Sequence, residues 1–146
     1  MNPATLRIIF GVFLIAHGLM TMSLATVPVA APGALHTPFF PAWWRTNVDS
    51  TWPVARLGLS DAFVRTTGWV LWLTIMILFV AAGAGLLGIP CLDSLWQPLA
   101  AIGAGFSLLL LGFYWHPWLI LGVLINIFIL LGVFAGWFIR WFPAHL

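Results

Sequence analysis

Residues 66–89 read TTGWVLWLTIMILFVAAGAGLLGI, 24 positions without one charged side chain. As a helix this stretch would reach about 36 Å, more than the roughly 30 Å of hydrocarbon in a bilayer. Backbone polar groups have no partner in lipid, so a spanning segment must be a helix unless strands close into a barrel. The alternating pattern of barrel strands is missing here. The segment is therefore a membrane helix.

The rest of the chain agrees. Charged residues make up 5% of the 146 positions, none of them Lys, against 63% hydrophobic residues and a mean hydropathy of +1.12. A soluble domain needs far more charge over its surface. Three more segments are long and apolar enough to span: residues 5–27, with Arg7 as the one charge, and residues 96–115 and 117–139, with none. The expectation is an all-α membrane protein of one domain, residues 1–146. It is a four-transmembrane-helix bundle with spans near 5–27, 66–89, 96–115 and 117–139 and one long interfacial first loop, 28–65.

Punctuation residues mark the boundaries. Pro90 follows Gly88 and is expected to stop the second helix, and PCLDSLWQ reads as a short polar turn. Pro117 suits the first position of a new helix, where its missing N–H costs nothing. The last two helices should then form a close antiparallel hairpin. Tryptophans fall in the long loop or near expected helix ends: Trp69, Trp115 and Trp118 would ring one interface, and Trp96, Trp137 and Trp141 the other. Val29, Ala30 and Ala31 offer small residues to a signal peptidase, but the apolar run before them exceeds the usual 7–15 residues and Pro32 would follow the cut. The first segment reads as a retained helix.

The long loop holds most of the charge: Arg45, Asp49, Arg56, Asp61 and Arg65. Its stretch PFFPAWWR is too apolar for free solvation and reads as lying at headgroup depth. Arg45, Arg56 and Arg65 are candidate contacts to lipid headgroups or to an anionic substrate or partner. Ser60 or Asp61 could cap the second helix. Counting Arg residues on the flanks leans towards a cytoplasmic long loop, by a margin of one.

Polar residues inside a membrane are costly enough to be informative. Each expected helix has one near its centre: His17, Thr74, Ser107 and Asn126. Each sits nine or ten residues from the loop-side end of its helix, about 13–15 Å deep. They form a candidate polar layer, in which a contact between His17 and Asn126 is the most economical pairing. That contact could fix helix register, relay protons or touch a quinone. Thr74 and Ser107 can instead bond back to their own helices. Small residues four apart, such as Ala81 and Gly85, Ala84 and Gly88, Ala101 and Gly105, and Gly132 and Gly136, suit close helix approach, as do Gly11 and Gly18.

Much chemistry is excluded. Cys91 stands alone, so one chain has no disulfide, no CxxC pair and no thiolate metal site. Phosphate-loop, HExxH and GxSxG motifs are missing, and no metal site is expected. The three carboxylates lie outside the spans, and the four histidines are too scattered for a bis-histidine haem. There is no basic patch for nucleic acid.

The opening RIIFGVFLIAHGL, with Arg7, Gly11, His17 and Gly18, resembles the first helix of DoxX-like membrane proteins. The glycine-rich VAAGAGLLG and the long first loop resemble that family's layout over nearly the whole chain. The resemblance implies four helices with both termini cytoplasmic, in the cytoplasmic membrane of a bacterium or archaeon. It also implies a link to redox or thiol-handling partners, since DoxX- and DoxD-type proteins include subunits of a thiosulfate:quinone oxidoreductase. A lone Cys91 departs from a thiol mechanism. The leading expectation is a non-catalytic accessory component, working with a membrane redox partner or as a homo-oligomer, with no evident cofactor. One alternative is a quinone-linked oxidoreductase subunit for a small sulfur or thiol substrate, with His17 and Asn126 at the quinone and Arg45 and Arg56 drawing the anion. The other is a small transporter, which lacks an embedded carboxylate or a broken helix pair.

Overall fold

The computed structural model describes residues 2–25, 57–114 and 119–138. Among the described residues there is no strand. Four helices follow one another: α1 (Pro3–Ala25), α2 (Asp61–Leu86), α3 (Trp96–Phe113) and α4 (Ile120–Phe134). The first three are long and apolar enough to cross a membrane, whereas α4 has 15 residues, about 22 Å.

Local chemistry sets the ends, and it moves several expected boundaries. α1 starts at Pro3 rather than residue 5, because Asn2 Oδ1 accepts from the Ala4 amide at 3.0 Å and Pro3 needs no partner for its nitrogen. α2 starts at Asp61, five residues before the expected 66, so the end of the long loop is helical. Ser60 is the cap: its backbone is extended and its Oγ accepts from the Phe63 amide at 3.2 Å.

α2 ends at Leu86, ahead of the expected 89, and Gly88 rather than Pro90 stops it. Gly88 has a φ of 92°, its amide bonds to the Gly85 carbonyl at 2.9 Å, and the Ile89 amide bonds to the Ala84 carbonyl at 3.1 Å. That pair of bonds around a left-handed glycine is a Schellman cap. Gly136, with a φ of 66°, ends α4 in a related way at Phe134 instead of 139. The chain then turns so that the Phe138 ring lies over Gly132, where a side-chain carbon would collide with it. α3 ends at Phe113, two residues before the expected 115, with the Tyr114 amide closing on the Leu110 carbonyl.

The helices run up, down, up and down. Gly11 meets Gly83 and Gly18 meets Phe79 across α1 and α2, Gly103 meets Leu78 across α2 and α3, and Gly122 meets Leu111 across α3 and α4. α1 reaches α4 through the His17 and Asn126 side chains, and beyond the end of α4 the Phe138 ring lies 4.8 Å from that of Phe10. Leu14, Trp72, Ile75, Phe79, Ala104, Leu110 and Ile129 fill the centre, and Leu86, Trp96 and Phe138 fill the end near the start of α1.

The outside is as apolar as the inside. Ile8, Val12, Val70, Ile77, Leu109, Leu121 and Leu131 are each at least half exposed. Such a surface belongs in lipid, where burial of apolar area no longer drives association and close packing with interhelical hydrogen bonds must do so.

Two tryptophans depart from expectation, Trp96 from its ring and Trp72 from a place near a helix end. Trp96 is buried against Phe138, and Trp72, eleven residues into α2, is fully buried. Trp69 and Trp137 are exposed. Trp115, Trp118 and Trp141, the turn at 116–118 and the loop at 28–56 lie outside the described residues.

Candidate functional site

Asn126 is fully buried near the middle of α4. Its Nδ2 donates at 2.8 Å to the Gly122 carbonyl, one turn back, and at 2.8 Å to Ser107 Oγ on α3. The bond to Gly122 requires the nitrogen on that side, because a backbone carbonyl can only accept. The orientation puts Oδ1 towards α1, 3.4 Å from His17 Nε2. An amide oxygen accepts, so Nε2 carries the proton and, in the neutral ring, Nδ1 keeps its lone pair. Nδ1 has no partner among the described residues.

The polar layer is therefore a connected chain from α1 through α4 to α3. His17, Asn126 and Ser107 belong to it. Thr74 does not: its Oγ1 donates to the Val70 carbonyl at 2.8 Å, within its own helix. This back-bond satisfies a hydroxyl without a neighbour, so equal depth did not bring it into the network. The contacts expected of Arg45, Arg56 and Arg65 lie outside the described residues, Arg65 by its side chain alone since its backbone belongs to α2.

Aromatic rings surround His17. Phe13, one turn earlier on α1, is stacked on it with centroids 5.9 Å apart and planes 9° apart. Phe79 from α2 meets it edge-on at 4.9 Å. Phe10 stacks on Phe13 at 5.7 Å and touches Phe138, so a row of rings runs from His17 towards the start of α1. Thr21 Oγ1 donates to the His17 carbonyl at 2.8 Å, holding the helix turn that carries the imidazole.

The i,i+4 spacing of Phe13 and His17 was visible in the sequence and could have flagged that stack. Nothing local marks Phe79 as their partner. Trp72 was also unforeseen: its indole nitrogen is buried with no hydrogen-bond partner, and its ring lies 6.5 Å from that of Tyr114. Cys91 is exposed in the turn between α2 and α3, and the described residues hold no cluster of His, Cys, Asp or Glu able to bind a metal ion.

No family model, curated protein or solved structure matches this chain. Chemically, the network can do two things. Its hydrogen bonds tie three helices into one register, and His17 Nδ1 can accept a single hydrogen bond from a guest.

Proposed function

We propose that this chain is a multi-pass, non-catalytic component of a membrane assembly, DoxX-like in layout, with both termini in the cytoplasm of a bacterium or archaeon. Its partner is a membrane redox protein or a second copy of itself. One observation carries the reading: the fully buried Asn126 amide donates both Nδ2 hydrogens to Ser107 and Gly122 and turns its oxygen to His17, out of a substrate's reach. Such interhelical polar contacts act as glue in lipid. The network is then a clamp, and the chain's business with other molecules is conducted on its outer faces.

A second reading has its own support. His17 is half-buried between Phe13 and Phe79, and its Nδ1 has no partner among the described residues, which suits the ring and hydroxyl of a reduced quinone. In that case the chain is a quinone-contacting subunit of an oxidoreductase for a small sulfur or thiol substrate.

Gentle purification from native membranes separates the two, with mass spectrometry of co-purifying proteins and solvent extraction of quinone, for the parent and for His17→Leu. A stoichiometric partner or second copy, no quinone, and a His17→Leu variant less stable in detergent support the clamp. Retained quinone that a fully stable His17→Leu variant loses overturns it in favour of the second reading. Isolation as a lone, cofactor-free monomer removes both.

A further inference from the structure

At the end of the bundle near the start of α1, a niche of about 300 Å³ opens between α1 and α2. Pro3, Ala4, Arg7 and Ile8 line one side, and Leu86, Leu87 and Gly88 the other. Among the described residues, Arg7 is its only charged side chain. Its Nε lies 3.4 Å from the carbonyl of Leu86, the last residue of α2, where intrahelical donors run out. That leaves the two terminal nitrogens of the guanidinium without a partner among the described residues. Asp93, in the next turn, is no counter-ion here: its Oδ1 accepts from the Ser94 amide and it does not line the niche.

The depth of the niche identifies its neighbourhood. His17, Ser107 and Asn126 lie within three residues of the midpoints of α1, α3 and α4. Arg7 is ten residues from His17 along α1, about 15 Å. Half of a hydrocarbon core is also about 15 Å. The guanidinium thus stands where acyl chains end and phosphates begin. The positive end of α1 and the negative end of α2 sit side by side and largely offset one another, so Arg7 sets the sign of the niche.

We propose that this niche binds the phosphodiester of an anionic phospholipid, with Arg7 donating to the phosphate through its terminal nitrogens. Planar guanidinium matches phosphate oxygens in pairs, and the surrounding Ile8 and Leu87, both exposed, continue as apolar wall for the first carbons of an acyl chain. A zwitterionic headgroup brings an ammonium that needs an anion, and the described residues of the lining offer none. This assignment does not depend on the role of the His17 network.

The test uses the full chain, purified and placed in phosphatidylcholine nanodiscs with and without phosphatidylglycerol. Retained lipid is read by native mass spectrometry and Tm by thermal unfolding. Phosphatidylglycerol should raise the Tm of the parent and stay bound. Arg7→Gln should bind it roughly tenfold more weakly, the change expected from one lost charge-assisted contact. Arg7→Lys should fall between them. If Arg7→Gln does not fold, Ala4→Trp carries the test, since it fills the niche while keeping Arg7 and its bond to Leu86; it too should lose the phosphatidylglycerol shift. Equal protection of these variants overturns the assignment. So does equal protection by phosphatidylcholine, or by inorganic phosphate in lipid-free micelles, which would make the site one for a free anion.

Discussion

Asn126 on α4 and Ser107 on α3 are joined by a 2.8 Å hydrogen bond with both side chains buried. The bond from His17 to the same amide is longer, at 3.4 Å. Interhelical hydrogen bonds in lipid contribute roughly 0.6–1.7 kcal/mol each, so Asn126→Leu should cost about 1–3 kcal/mol. Double-mutant cycles by reversible unfolding in bicelles should find stronger coupling between Asn126 and Ser107 than between Asn126 and His17. The reverse order would mean that the imidazole, not the hydroxyl, is the main partner of the amide.

Gly83 and Gly105 offer a paired test of how α1 and α2 are held. A side-chain carbon at Gly83 would stand 2.5 Å from the Gly11 carbonyl and 2.6 Å from Ile15, and the backbone cannot yield as a side-chain tip can. Gly83→Ala should destabilise by about 1–3 kcal/mol, as overpacking does elsewhere. At Gly105 the added carbon meets nothing within 4 Å, so Gly105→Ala should be neutral or slightly stabilising. Equal effects in a detergent-unfolding assay would show that α1 and α2 are not in tight contact there.

The four helices were legible because each is written as a long apolar run almost without charge, although the last proved shorter than a span. The His17–Asn126 pairing was legible too, since two costly polar groups at one depth have few other partners. Boundaries were harder. Pro90 drew attention to itself, but Gly88 ends α2 through a backbone geometry that only the folded chain reveals. Small residues four apart misled in a similar way. A side-chain carbon at Gly105 would meet no described residue within 4 Å, and Gly85 accommodates the Leu92 carbonyl of the following turn. Spacing says that a residue could face a neighbour, while the helix rotation that decides which one depends on distant packing. Trp72 was passed over for a different reason: six positions past Thr66 it reads as near a helix end until α2 is seen to begin at Asp61.

Trp72 carries a buried indole N–H without a partner. An unsatisfied buried donor costs about 1–3 kcal/mol, so removing it returns energy that offsets the smaller ring of phenylalanine. Trp72→Phe should therefore stay within about 1 kcal/mol of the parent, whereas Trp72→Ala should lose about 3–5 kcal/mol through its cavity. Chemical unfolding followed by the near-ultraviolet spectrum checks both. A loss above about 3 kcal/mol for Trp72→Phe would mean that the indole N–H is paired after all.

Cys91 turns the proposed sidedness into a direct measurement. It is the one cysteine of the chain and is exposed in the turn joining α2 to α3. Because α1 and α2 are antiparallel, this turn lies at the same end of the bundle as Pro3. With cytoplasmic termini, a membrane-impermeant maleimide should leave Cys91 unlabelled in intact spheroplasts and label it in inverted vesicles. Cys91→Ser should abolish the signal, and a permeant maleimide should label both preparations. The opposite pattern would put the long first loop in the cytoplasm, as the arginine count favours. The niche at Arg7 would then face the outer leaflet, and the lipid assay would have to be interpreted against the composition of that leaflet instead.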